Sequence, residues 1–267
     1  MVQQQVLNEY LSVLIVDGID LEIKYFIGEE NKPTLIFLHE GLGCVEMWRD
    51  FPEKLSELTG CPTLVYSRQG YGRSSSCEVP RPLTYMQDEG LKVLPEIIRV
   101  TGIQEHILIG HSDGGSIALI NAGGKSSSGL LGVVTMAAHT FCEDLSISSI
   151  KLGLIAYTDG NLRSGLEKYH HDNVDCAFWG WNNAWLDADF ITFNIEKFLP
   201  NIKVPQLVIQ GQDDPYGTIK QVESIANKSA GYVEVCMFKN CKHSPYKDKA
   251  TESIALINLF ITKKCLR

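Results

Sequence analysis

Ile107-Leu108-Ile109-Gly110-His111-Ser112-Asp113-Gly114-Gly115-Ser116-Ile117-Ala118-Leu119 decides how the chain reads. A short apolar, β-branched run passes through Gly-x-Ser-x-Gly directly into small and apolar residues. Such a join sends a buried strand into a helix across a sharp turn. Glycine two places before and after the serine lets neighbouring main chain pass close by. Ser112 is then lifted to the tip of the turn, at the positive end of the helix that follows, where a developing oxyanion is favoured. Taking Asp113 as the nucleophile instead would put His111 where a glycine is wanted, so Ser112 is preferred.

A serine hydroxyl is a weak nucleophile until a base takes its proton, and the base needs an acid to orient it. Two later strand-like runs each end in a loop of the required type. Gln206 to Gln210 leads into Gly211-Gln212-Asp213-Asp214-Pro215, and Val233 to Phe238 leads into Lys239-Asn240-Cys241-Lys242-His243-Ser244-Pro245. Of the seven histidines, only His243 lies late in the chain just past a strand. His39 and His111 flank the site and read as turn residues, and His106 begins a strand. His139 precedes a long insertion, and His170 and His171 lie within it. Asp214 fits a G-x-x-D spacing and is the preferred acid, with Asp213 as the alternative and Glu143 or Asp144 more distant ones. A third loop, His39-Glu40-Gly41-Leu42-Gly43, follows another buried strand and offers a backbone N–H to an oxyanion, paired with that of Asp113.

Outward from these loops the chain alternates strand and helix. Ser12 to Val16 and Leu21 to Ile27 read as a hairpin joined at Asp17-Gly18. Thr34 to His39, Pro62 to Ser67, His106 to Gly110, Leu131 to Ala137, Gln206 to Gln210 and Val233 to Phe238 read as strands covered on both faces. Helical spacing marks Trp48 to Leu58, Tyr85 to Val100, Ser116 to Ala122, Thr218 to Ala230 and Thr251 to Ile261. The pattern predicts an α/β fold, a mostly parallel doubly wound sheet. Residues 141–199 break the rhythm with helical patterns and an aromatic cluster of Tyr157, Tyr169, Phe178, Trp179, Trp181 and Trp185. They read as a helical cap inserted into a core of residues 1–140 and 200–267, an insertion of the kind that forms lids.

Bulk properties narrow the function. With 267 residues, 44% of them hydrophobic, there is enough material for a large core. A formal charge of −8 with scattered Lys and Arg argues against nucleic acid or an anionic membrane as partner. The longest apolar stretch, Gly129 to Ala138, is too short to span a bilayer. Met1-Val2-Gln3-Gln4-Gln5 lacks the features of a secretory signal, so a cytoplasmic protein is expected. The eight cysteines are dispersed without a C-x-x-C pair and read as reduced thiols; no metal site is expected. Composition leaves the oligomeric state open.

From about Leu21 to Phe260 the motifs resemble, in order, those of the cap-bearing serine hydrolases of the α/β-hydrolase superfamily. The oxyanion loop of that family corresponds to His39 to Gly43, its next turn to Ser67-Arg68-Gln69-Gly70-Tyr71-Gly72-Arg73-Ser74, and its elbow to Gly110 to Gly114. The resemblance makes Gly41 and Asp113 the oxyanion donors, and Ser112, Asp214 and His243 the catalytic residues, with no metal or organic cofactor. Two departures stand out: Glu40 where the family usually has Gly, and Ser67 where it usually has Asp. Glu40 is expected to pair with Arg68, or alternatively to touch a polar part of the substrate. The resemblance implies hydrolysis of an ester or lactone of a small molecule, acyl-homoserine lactones among the candidates. The alternatives are a carbon–carbon bond hydrolase and a ligand receptor with little turnover. Trp48, Trp179, Trp181 and Trp185 are the aromatic candidates for contact with an apolar substrate group.

Overall fold

The computed structural model describes residues 5–10, 12–124 and 128–266; residues 1–4 of the start read above lie outside the described residues. The chain runs β1 (Val13–Val16), β2 (Ile19–Phe26), β3 (Thr34–Leu38), α1 (Phe51–Thr59), β4 (Thr63–Tyr66), α2 (Tyr85–Asp88), α3 (Leu94–Thr101), β5 (His106–His111), α4 (Asp113–Gly123) and β6 (Leu130–Met136). Three helices follow, α5 (Asp144–Thr158), α6 (Leu162–His170) and α7 (Val174–Leu186), before the sheet resumes. The chain closes with β7 (Gln206–Gly211), α8 (Ile219–Lys228), β8 (Val233–Phe238), α9 (Pro245–Asp248) and α10 (Ala250–Phe260).

The strands form one sheet in the order β1-β2-β4-β3-β5-β6-β7-β8. Only β1 with β2 and β2 with β4 are antiparallel; every later pairing is parallel. This is the mostly parallel, doubly wound sheet that the alternation predicts. Successive side chains of a strand face opposite ways, and β3 shows what that does here. Leu35 and Phe37 join one core with Phe51 and Leu55 of α1 and Ile257 and Phe260 of α10. Ile36 and Leu38 join the other with Leu94 and Ile97 of α3, α4, and Val222 and Ile225 of α8. One strand departs from expectation: β8 is only partly buried, because it is the last strand and pairs with β7 alone.

The three helices between β6 and β7 leave and rejoin the sheet through a narrow neck. Phe141 bridges Asn194, and the N–H groups of Cys142 and Ile195 donate to the carbonyls of Phe193 and Thr140 at 3.1 and 2.8 Å. Tyr157, Phe178, Trp181 and Trp185 from these helices belong to the same apolar cluster as Ile36, Leu38 and Leu108 of the sheet. The helical segment therefore shares its core with the sheet below it.

Candidate active site

Parallel strands with short following turns bring their carboxyl ends to one edge, where residues far apart in sequence can meet. Ser112 occupies the single residue between β5 and α4, with φ 51° and ψ −117°, a region costly for a side chain larger than hydrogen. The flanking glycines make the turn feasible. A Cβ at Gly114 would overlap the carbonyl oxygen of Leu38, and one at Gly110 would overlap that of Gly114. Ser112 is 7% exposed.

His243 Nε2 lies 3.0 Å from Ser112 Oγ. On the far side of the ring, Nδ1 is 2.9 and 3.0 Å from the two carboxylate oxygens of Asp214. A carboxylate only accepts, so Nδ1 carries the proton and Nε2 is the free acceptor turned to the serine hydroxyl. Burial pushes the Asp214 carboxyl up, but the hydrogen bond and charge of His243 outweigh it and hold the group below the usual carboxylate range. The Tyr216 N–H adds a hydrogen bond at 2.8 Å. Asp213 is exposed, and its N–H donates to the Cys241 carbonyl instead. Glu143 is engaged by Thr218 and Gln221, and Asp144 is exposed at the start of α5.

Gly41 and Asp113 both line the cavity in front of Ser112. The Asp113 N–H begins α4 and so has no partner within the helix. Trp181 of α7 lies against Gly41 so closely that a Cβ there would overlap the indole. The Asp113 carboxyl points away, accepting from Tyr85 Oη at 2.6 Å, and Trp185 Nε1 donates to the same Tyr85 oxygen at 3.0 Å. Burial raises the Asp113 carboxyl above its ordinary range, with Arg68 opposing.

Glu40 does not pair with Arg68 through its carboxylate. The Arg68 guanidinium is buried and donates to the main-chain carbonyls of His39 and Glu40, at 2.6 and 3.0 Å. The Glu40 carboxylate turns instead to His111 Nδ1 at 2.5 Å and receives Tyr246 Oη at 3.3 Å, with Lys247 Nζ 3.8 Å away. His111 Nε2 in turn donates to the His243 carbonyl at 2.7 Å. Both ring nitrogens thus face acceptors. Burial pushes Glu40 up, yet the charges of His111 and Lys247 bring it well below the usual carboxylate range. His111 serves more than a turn: it holds the loop that carries His243.

The cavity has a volume of about 210 Å³, smaller than the ~300–1,000 Å³ typical of small-molecule sites. Leu42, Ile150, Trp181 and Trp185 give it an apolar wall, and Glu40 is on its border. Two expected contacts fall elsewhere. Trp48 is 2% exposed and is packed beneath the site on Phe37 and Tyr246, at ring distances of 5.1 and 4.6 Å. Trp179 stacks edgewise on Tyr157 and Phe178 and is not a lining residue. The lining also includes His139 and Tyr216, which the sequence did not single out. The signal for His139 was present, since it follows β6 at the same edge of the sheet. Its pKa is lowered to about 4 by burial and then by the charge of His243, so it is neutral at pH 7. Among the described residues no cluster of His, Cys, Asp and Glu is placed to hold a metal ion, and no helix is long and apolar enough to cross a membrane.

Strand order, the strained turn at Ser112 and the polar array at the carboxyl edge together define one class of fold. The chain belongs to the alpha/beta hydrolase family, whose profile matches residues 35–255. Relatives in sequence include a proline iminopeptidase of Lactobacillus helveticus, 22% identical over 86% of this chain and 90% of its own length. A 2-succinyl-6-hydroxy-2,4-cyclohexadiene-1-carboxylate synthase of Serratia proteamaculans is 29% identical over 47% of this chain and 46% of its own. Among solved structures, the enol-lactonase of Burkholderia xenovorans LB400 superposes with a TM-score of 0.73 at 19% identity, covering 94% of this chain and 100% of that one.

Proposed function

We propose that the protein is a serine hydrolase that cleaves an ester or lactone of a small, largely apolar molecule through an acyl-enzyme. One observation carries the reading: His243 Nε2, fixed as an acceptor by Asp214, stands 3.0 Å from Ser112 Oγ beside a cavity with an apolar wall. His243 removes the hydroxyl proton as Ser112 attacks the carbonyl carbon, and the imidazolium formed is stabilised by Asp214. The N–H groups of Gly41 and Asp113 receive the oxyanion. His243 then protonates the leaving oxygen, and the same groups repeat the sequence with water. These steps use only side chains and main chain of this protein, and the small volume with Trp181 and Trp185 in its wall favours a compact apolar acyl or aryl group.

Glu40 favours a second reading. An ionised carboxylate at the cavity border attracts an amine, as an aminoacyl substrate would present, and iminopeptidases are relatives over most of the chain. The same carboxylate repels the anionic substrates of carbon–carbon hydrolysis. A panel of neutral nitrophenyl esters, lactones and proline arylamides, run beside Ser112→Ala, tests both. Ester or lactone cleavage abolished in Ser112→Ala is the expected result. Preference for the arylamide, lost in Glu40→Gln, would install the second reading. Equal activity in wild type and Ser112→Ala would overturn both, and tight binding without turnover would mark a receptor.

A further inference from the structure

Cys77 and Cys176 are 99 residues apart in sequence, yet their sulfurs lie 2.8 Å from one another. Cys77 sits in the loop between β4 and α2, and Cys176 in the first turn of α7, so the pair spans the sheet domain and the helical segment above it. Cys176 Sγ also lies 3.3 Å from the Cys77 carbonyl oxygen. Both residues are partly exposed. A third group converges on them. A Cβ placed at Gly70 would stand 2.5 Å from Arg81 Nη2, 2.6 Å from Cys77 Sγ and 2.7 Å from Cys176 Sγ. Arg81 is held there by a hydrogen bond to the Gln69 carbonyl at 2.6 Å and by the Tyr71 ring.

These neighbours separate the two thiols chemically. The hydrogen bond from Cys77 and then the charge of Arg81 hold Cys176 below the usual thiol range, while the same contact and burial push Cys77 up. Every other cysteine is raised by burial, Cys44 and Cys265 to about 12 and Cys241 to about 11. Cys176 is therefore the thiol that ionises first, and its partner is already in contact.

We propose that Cys77 and Cys176 form a reversible oxidation site at which hydrogen peroxide closes a disulfide between the core loop and α7. The Cys176 thiolate sulfur attacks one peroxide oxygen; the O–O bond breaks, and the departing hydroxide takes a proton and leaves as water. The resulting sulfenic acid is attacked at sulfur by Cys77, which gives up its proton; the S–O bond breaks and a second water departs. Two thiols are oxidised and one peroxide is reduced to two waters. Closing from 2.8 Å to the ~2.05 Å of the bond asks for under about 1 Å of movement. The bond would fasten the start of the helix that carries Trp181 and Trp185. Trp181 and Trp185 line the cavity in front of Ser112, so fastening their helix restrains that wall, and the linked form is the slower one. This consequence, unlike the linkage itself, rests on the hydrolase reading.

The test uses the whole chain, reduced and then exposed to hydrogen peroxide, alkylated, and mapped as peptides without reductant. A linked Cys77–Cys176 peptide pair is expected, with a net loss of two hydrogens, a raised melting temperature and reversal by dithiothreitol. Nitrophenyl ester turnover should fall several-fold in the linked form and recover on reduction. Reduced Cys77→Ser should turn over like wild type and show neither the link nor the melting shift. Linkage elsewhere, or sulfinic acid at Cys176 without a link, would overturn the site. Unchanged turnover in fully linked protein would overturn its effect on α7. An inactive chain that still links would count against the hydrolase reading alone.

Discussion

At the scale of single residues, the proton positions around His243 decide what substitutions do. Ser112→Ala removes the attacking atom, and a loss of about 10³-fold or more in kcat is expected on any substrate the protein cleaves. Asp214→Asn keeps the shape but offers an N–H to Nδ1, moving the ring proton to Nε2, where it can no longer accept from Ser112. A fall of about 10²–10⁴-fold in kcat with little change in KM is expected; an unchanged kcat would remove Asp214 from the mechanism. Glu40 yields a pH prediction. Its folded-state pKa lies below the unfolded value of about 4.3. A depressed acid contributes stability that is complete above the unfolded pKa and is lost as pH falls toward the folded one. The gap in urea midpoint between wild type and Glu40→Gln should be widest near pH 7 and close below about pH 4. A gap that widens in acid would mean that the His111 contact does not hold Glu40 ionised.

At the scale of elements, the strand–turn–helix at Ser112 is rigid because backbone approaches backbone. Gly114→Ala sets a methyl group against the Leu38 carbonyl, where no side-chain rotation relieves the overlap. The expected cost is at least about 2 kcal/mol of folding stability, together with loss of ester turnover, read by urea unfolding and kinetics. A stable, active Gly114→Ala would show that β3 and α4 can separate. This element was legible in the sequence because strand, glycines and helix are contiguous, and the loops bearing Asp214 and His243 were legible because each follows a strand. What sequence could not convey depends on contacts between distant elements. Glu40 and Arg68 sit on neighbouring loops, but which oxygen the guanidinium meets is set by how far Arg68 is buried under His39. Trp48 reads like any other tryptophan until the packing of Phe37 and Tyr246 places it under the sheet edge. Cys77 and Cys176 carry no local pattern, since their contact exists only after α7 folds back over the core loop.

At the scale of the whole molecule, one apolar cluster runs from the sheet into the helices above it. Trp185 is at the junction: its ring lies 4.8 Å from Phe190 and 5.2 Å from His139, and its indole N–H reaches Tyr85. Among the described residues, the large buried apolar side chains of the helical segment belong to the cluster of the sheet, so segment and sheet should unfold together. Three of the four tryptophans are in α7 and Trp48 is in the other core layer, so fluorescence reports mainly on the helical segment while far-UV circular dichroism reports on the whole. Coincident urea transitions by the two probes are expected for the wild type. Trp185→Ala should lower the stability by about 3–5 kcal/mol and move both transitions equally, because the cavity it leaves lies in the one apolar cluster that the segment and the sheet share. If the fluorescence transition came first in wild type, or alone shifted in Trp185→Ala, the segment would be an independently folding lid. Access to Ser112 would then be governed by its local unfolding, not by small movements of a wall that stays folded.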